Sequence, residues 1–312
     1  MEVIDKQPKA SRNSPRTPIV VALLLVGLAF ISYEALKEEK VGIISKGEEI
    51  NNTNESFSVL ALGQVGVGQG GQWHFAPDLA DSIVLIYFRP ETKVINLISL
   101  PRDLYGDFGD ERIKINRITT NDKIPEFVEE LSEITGIETD KYVIFDLNLV
   151  EEVIDGLGGI NVDLPADVYD PVGSFSLSAG ANYLNGEEAA WLIRNRYAPQ
   201  GDFFREKNQH LVIEAIFVRF NQLNALEKTS FIFRMLPNLT RSVSNFSLGE
   251  SISNLRDVGE ISFNSIVLDF DTKLWQSSKI PNPTGEDAYV LIPEEGINEY
   301  GAVRSYIETR LR

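Results

Sequence analysis

The stretch RNRYAPQGDFFREKNQ, Arg194 to Gln209, gathers three arginines, a lysine and two acids within sixteen residues of a chain whose formal net charge is −17. A fourth arginine, Arg102, sits in the segment SLPRD directly after an apolar run, and Asp81 stands just before another. Arginine keeps its charge at any physiological pH, and its planar fork matches phosphate oxygens two at a time. Buried strand ends are where ligand sites gather in α/β folds. Arg102, Arg194, Arg196 and Arg205 with neighbouring acids at element ends therefore point to a phosphate or pyrophosphate site, to which Mg²⁺ is a natural companion.

Wound as a helix at about 100° per residue, the segment from Asp202 places Asp202, Arg205 and Gln209 on the same stripe as Val212, Ile213, Ile216, Phe217 and Phe220. Such a stripe faces a core, and an arginine there needs an anion because an unpaired buried charge is costly. Asp202, three residues before Arg205, is a local candidate. Arg194 and Arg196, just ahead in a loop, widen the reading toward an external anion.

Bulk composition narrows the field. The chain has 312 residues, 43% hydrophobic and 24% charged, which is ordinary for a globular protein. The first seventeen residues carry Lys6, Lys9, Arg12 and Arg16 against Glu2 and Asp5, so the rest is more acidic than the whole. That surface repels nucleic acid and anionic lipid, and any anion must be held by a local cluster of cations. There are no cysteines, which excludes disulfides, zinc-thiolate sites and thiol nucleophiles. His74 and His210 are the only histidines, too few for a His-rich metal site. Gly66, Gly68 and Gly71 match G-x-G-x-x-G after a strand, but the following QWHFAPD reads as a loop rather than the helix a dinucleotide site requires.

The elements that must position the cations read as follows. FSVLALG and SIVLIYF are buried strands, and KVINLISL follows the turn RPETK as the second arm of a hairpin. IPEFVEELSEITG is an amphipathic helix ending at Gly136, YVIFDL a strand, NLVEEVIDGLGG a short helix and INVDL a strand. NGEEAAWLIRN opens with Asn185 as a helix cap, and DFFREKNQHLVIEAIFVRFNQL is a long helix. YVLIPEEGINEYGAVRSYIETRL is a strand and a closing helix. Mixed strands and helices predict an α/β (α+β) fold, a mixed central β-sheet flanked by helices. PIVVALLLVGLAFISYEAL is just long enough to span a bilayer, for which roughly 17–25 apolar residues are needed. Arg12 and Arg16 precede it and Glu34, Glu38 and Glu39 follow, so the positive-inside rule places the N-terminus in the cytoplasm. The expected layout is a cytoplasmic tail (1–17), a transmembrane anchor (18–36), a linker (37–56) and one extracytoplasmic domain (57–312), in a single-pass cell-membrane protein.

DSIVLIYFRPETKVINLISLPRDLY, RIKIN, DLNLVEEVIDGLGGINVDLP and LSAGANYLNGEEAAWLIRNRYAPQGDFFREKNQHLV occur in order, and together they resemble the LytR-CpsA-Psr family of cell-wall glycopolymer ligases. The resemblance implies a phosphotransferase that moves a glycopolymer from a polyprenyl-pyrophosphate carrier to peptidoglycan or another wall acceptor. The alternatives are a non-catalytic, membrane-anchored binder of polyprenyl-phosphate lipids or wall glycans, and a lipid pyrophosphatase. It implies Asp81 as a catalytic, metal-associated aspartate holding Mg²⁺ (or Mn²⁺), and Arg102, Arg194 and Arg196 as catalytic groups gripping the pyrophosphate with Arg205, Gln209 and Lys114. Asn116 matches with Lys114. Asp103 would orient Arg102 or activate the acceptor hydroxyl. Ile213, Ile216, Phe217 and Phe220 would line a lipid pocket or pack a plain core. The chain departs from the family pattern at Gln64 and Val65, where an aspartate is usual, at Leu79 and Ala80, where an arginine is usual, and at Asn208, which replaces another arginine. Asp78 is a candidate substitute for the missing carboxylate.

Overall fold

The computed structural model describes residues 56–64, 78–120, 124–171, 173–239, 243–244, 261–281 and 285–312. In chain order the elements are β1 (Phe57–Gln64), β2 (Ala80–Arg89), β3 (Val94–Ser99), β4 (Tyr105–Phe108), β5 (Glu111–Lys114), α1 (Ile124–Thr135), β6 (Tyr142–Asp146), α2 (Leu147–Gly156), β7 (Ile160–Leu164), β8 (Val168–Asp170), β9 (Phe175–Leu177), β10 (Gly180–Leu184), α3 (Gly186–Leu192), α4 (Asp202–Gln222), α5 (Ala225–Leu239), β11 (Val243–Ser244), β12 (Ser262–Val267), β13 (Trp275–Ile280), β14 (Ala288–Pro293) and α6 (Gly301–Arg310).

Six strands form the central sheet, in the order β11-β6-β1-β2-β3-β12. The apolar runs of β1, β2 and β3 are buried almost throughout, as strands covered on both faces must be. β2 is antiparallel to both β1 and β3, while β6 runs parallel to β1 and β12 parallel to β3. The carboxyl ends of β1, β3, β6 and β12 and the amino end of β2 therefore meet at one edge of the sheet. Asp81, Arg102 and Asp146 belong to that edge.

Period-two alternation gives each strand two faces. Leu60, Leu62, Ile83, Leu85 and Ile98 pack with Leu131 of α1 and Ile307 of α6 in one core. Val59, Ala61, Val84 and Ile86 turn the other way and meet Phe217 of α4. Beyond α4 a further cluster joins α2, α3 and α5. The mixed sheet flanked by helices is thus present.

The membrane part of the expectation is corrected. No helix among the described residues is long and apolar enough to cross a membrane. The segment expected to do so, Pro18–Leu36, lies outside the described residues, as does the G-x-G-x-x-G stretch. The single-pass topology and the cell-membrane localisation expected from the sequence are therefore withdrawn, while the mixed sheet flanked by helices remains.

Candidate active site

Three local devices aim side chains at the sheet edge. First, β6 passes directly into α2 through Asp146, whose side chain accepts the Leu149 N–H at 2.9 Å. This cap fixes the first turn of α2, and Leu147, Val150 and Val153 then fall at i, i+3 and i+6 along a cavity wall. Second, α3 starts with a capping box between Asn185 and Glu188, both bonds at 2.9 Å. Just after α3, buried Asn195 donates to the Tyr169 carbonyl at 3.3 Å and accepts the Tyr197 N–H at 3.1 Å. Its neighbours Arg194 and Arg196 are left exposed at the cavity mouth. Third, Gly201 takes φ +56° just before α4, a left-handed value that favours glycine. The turn delivers Asp202 to the first position of α4, where the helix dipole favours an acid.

The resulting cavity of about 490 Å³ opens between the sheet, α2 and α4. Its walls are mainly apolar: Ala61, Ile86, Phe145, Val150, Val212 and Ile216 are among them. Gly63 keeps it open at the sheet, since a Cβ there would lie 3.0 Å from Ser82 Cβ and 3.3 Å from the Phe145 ring. Asp81, Arg102, Arg194, Arg196, Arg205 and Gln209 also line it.

The guanidinium groups converge on two carboxylates. Arg102 pairs with Asp81 through Nη1 and with Asp202 through Nε, at 3.0 Å in the second case. Arg196 reaches the same two acids, Asp81 at 3.4 Å and Asp202 at 3.2 Å. Burial works against the Arg102 charge, but Asp81, Asp202 and Asp103 outweigh it and hold its pKa above the usual guanidinium value. Arg205 is different. Only 2% exposed, it makes no hydrogen bond from Nε, Nη1 or Nη2 among the described residues. Its nearest carboxylate oxygen is Asp202 Oδ2, 3.5 Å from Nη2. Burial pushes its pKa down, Asp202 opposes this, and Arg196 and Arg102 add to it. Arg194 makes no ion pair among the described residues. Four guanidinium groups thus face two carboxylates, an excess of positive charge at the mouth of an oily cavity.

The other expected site residues are distributed unevenly. Gln209 lines the cavity, but its amide is largely committed: Oε1 accepts from Ser82 Oγ at 2.8 Å and Nε2 donates to the Ile193 carbonyl at 3.3 Å. It brackets α4 to the sheet. Lys114 does not reach the cavity. It pairs with Asp103 and donates to the Tyr289 carbonyl at 3.3 Å. Asn116 is buried in a 3₁₀ helix, Ile115–Thr120, away from the cavity. Ile213 and Ile216 line the cavity, whereas Phe217 and Phe220 do not. Phe217 stacks edge-on against Phe263 at 5.1 Å and Phe220 against Phe231 at 5.8 Å, as plain core.

At the departures from the family pattern, Gln64 donates to the Asp78 carbonyl at 2.6 Å, and the exposed Asp78 is not among the lining residues. Asn208 donates to the Leu192 carbonyl at 3.5 Å, tying α4 to α3. Among the described residues no group of three or more His, Cys, Asp or Glu could hold a metal ion.

Residues 28–271 match the LytR_cpsA_psr family. The chain belongs to the LytR-CpsA-Psr family. It is 27% identical over 288 residues to the polyisoprenyl-teichoic acid–peptidoglycan teichoic acid transferase TagV of Bacillus subtilis, covering 86% of this chain and 69% of that protein. It is 29% identical over 202 residues to TagU of Bacillus licheniformis, a transferase of the same name, covering 64% and 63%. The chain therefore spans about two thirds of the length of these relatives. The structure of TagT bound to LIIa-WTA superposes with a TM-score of 0.61 at 23% identity, over 89% of this chain and 98% of that one. That likeness is one of fold. Membership of the LytR-CpsA-Psr family supports a general catalytic role in glycopolymer transfer.

Proposed function

We propose that the chain is a phosphotransferase that moves a glycopolymer from a polyprenyl-pyrophosphate carrier to peptidoglycan or another cell-wall acceptor. The observation that carries this reading is Arg205, a buried cation that lines an apolar cavity and whose three nitrogens make no hydrogen bond among the described residues. A protein keeps such a group when an incoming anion completes it, and a diphosphate with a hydrocarbon tail matches both the charge and the oil. The names of TagV and TagU support the substrate class.

In this reading the acceptor hydroxyl attacks the phosphorus that carries the glycan. The bond from that phosphorus to the bridging oxygen breaks, and lipid monophosphate leaves. The pyrophosphate bond supplies the energy. Arg102, Arg194, Arg196 and Arg205 offset charge on the phosphoryl oxygens and on the leaving phosphate. Asp103, next to Arg102, is the carboxylate to take the hydroxyl proton. Asp202 holds Arg102 and Arg196 in register before substrate arrives. Mg²⁺ is commonly bound by one or two carboxylates plus substrate phosphates, and Asp81 is the residue that would hold it. When bound, the ion supplies further charge neutralisation at the phosphoryl group.

One observation favours a second reading, a binder of the same lipids without turnover: Arg102 and Arg196 are already paired with Asp81 and Asp202. The two separate in one assay. The full chain is incubated with an undecaprenyl-diphosphate-linked glycan, Mg²⁺ and an acceptor, and released undecaprenyl monophosphate is measured. Turnover that falls in Arg194→Ala and Arg196→Ala supports transfer. Tight binding without release supports the binder, and equal turnover by both variants rejects the site.

A further inference from the structure

A second, smaller hollow of about 200 Å³ shares Arg102 with the cavity. Glu206 lies in its wall. It is 3% exposed, on the helix turn that also carries Arg205, and its Oε2 has no hydrogen-bond partner among the described residues. Burial pushes its carboxyl well above the usual range, with Arg205 opposing. Burial thus favours the protonated form, and the unpartnered Oε2 is the position from which an O–H would donate into the hollow.

The remaining walls define the complementary ligand. Arg102, Asp103 and Asp202 bring charges that already have partners, Arg102 with Asp202 and Asp103 with Lys114, so the hollow calls for no charged ligand. A purely apolar ligand would leave Glu206 unsatisfied, which is costly for a buried polar group. Phe203 and Phe270 meet edge-to-face at 5.2 Å, and Phe270 and Tyr289 stand exposed among the lining aromatics. Aromatic walls with a few placed polar groups fix the orientation of a small ligand. A flat C–H face for the rings, hydroxyls for the carboxylates and an oxygen for the Glu206 donor describe an uncharged sugar ring.

We propose that this hollow is a subsite for an uncharged sugar ring, with Glu206 donating to one of its oxygens and Asp103 accepting from a hydroxyl beside Arg102. Its assignment as the acceptor subsite rests on the phosphotransfer reading, whereas ring binding does not. The ring hydroxyl next to Asp103 and Arg102 is then the one that meets the phosphorus.

The test titrates the full chain with methyl N-acetyl-β-glucosaminide, followed by saturation-transfer NMR. Saturable binding with a Kd in the millimolar range, about 1–10 mM, is expected for one small ring. Glu206→Leu weakens it about tenfold, Glu206→Gln, which still donates, changes it less than about threefold, and Phe270→Ala at the exposed rim weakens it about threefold. No saturable binding to the unmodified chain overturns the proposal, as does binding untouched by both Glu206→Leu and Phe270→Ala. If Glu206→Leu does not fold, Phe270→Ala decides alone. The same preparation is titrated with farnesyl diphosphate. Ring binding without diphosphate binding leaves this subsite standing and sinks the pyrophosphate reading; the reverse sinks the subsite and spares that reading.

Discussion

Toward α1 and α6 the central sheet presents Leu60, Leu62, Ile83, Leu85 and Ile98, all buried and apolar. Toward α4 the same strands present Ala61, Gly63 and Ile86, and the space is left as a cavity. The difference lies in adjacent residues: Leu62 fills one face and Gly63 vacates the other. The helices follow suit. α1 offers Phe127, Val128, Leu131 and Ile134 to the sheet, whereas α4 buries Arg205, Glu206, Asn208, Gln209 and His210 along its first half. One face is packed to hold the fold together. The other gives up packing and holds a buried cation, Arg205, that makes no hydrogen bond among the described residues.

Mutations on the two faces should therefore behave differently. Leu85→Ala, on the packed face, is expected to cost about 2–5 kcal/mol of stability, as large-to-small changes in dense cores do. Ile216→Ala, on the hollow face, should cost about 1–2 kcal/mol, because its neighbour is already a void, and should weaken binding of a polyprenyl diphosphate. Urea denaturation of both variants checks the contrast, and equal losses would break it. Arg205→Met should lower turnover about 100-fold, the scale of losing one preorganised charge in a transition state. Its denaturation midpoint should stay level or rise, since replacing a poorly paired buried charge by an apolar side chain is often neutral or stabilising.

Two buried groups on α4 sharpen the point through pH. His210 sits between Ser99 Oγ at 2.8 Å and Ser265 Oγ at 2.6 Å, and burial lowers its pKa from 6.5 to about 3. The unfolded chain gains a proton there first, so stability falls as pH drops below 6.5, by up to about 1.4 kcal/mol per pH unit. Glu206 has the opposite sign. Burial raises its carboxyl above 4.5, so the folded state keeps a proton that the unfolded chain releases, and stability declines as pH rises past 4.5. Glu206→Gln should remove that decline and be more stable than the parent at neutral pH in thermal unfolding. The smallest effect is expected from Lys114→Ala. Lys114 does not line the cavity and acts only through its ion pair with Asp103, so turnover should fall about threefold, the scale of a partly exposed ion pair.

Much of this was legible in the residues. The apolar runs of β1 to β3 announced buried strands, and Asn185 and Gly136 marked helix ends where they lie. The stripe through Asp202, Arg205 and Gln209 correctly placed Arg205 in the interior. A helical wheel, however, gives direction and not what lies opposite. Ile216 and Phe217 are adjacent on that stripe, yet one meets a void and the other meets Phe263. Val150 and Phe145, which line the cavity, come from segments far from α4 in the chain and carry no local sign of it. The hairpin strands β4 and β5, YGDF and ERIK, are short and polar, so neither alternation nor an apolar run betrayed them. The position of Lys114 is hidden in the sequence for the same reason: its pairing with Asp103 is set by that hairpin.

The most direct test is a crystal structure of the full chain with a polyprenyl diphosphate. The account predicts the hydrocarbon tail between β1, α2 and α4, with phosphoryl oxygens within hydrogen-bond reach of Arg205 and Arg194. A tail lying outside that cavity, or a diphosphate bound away from both arginines, would contradict it.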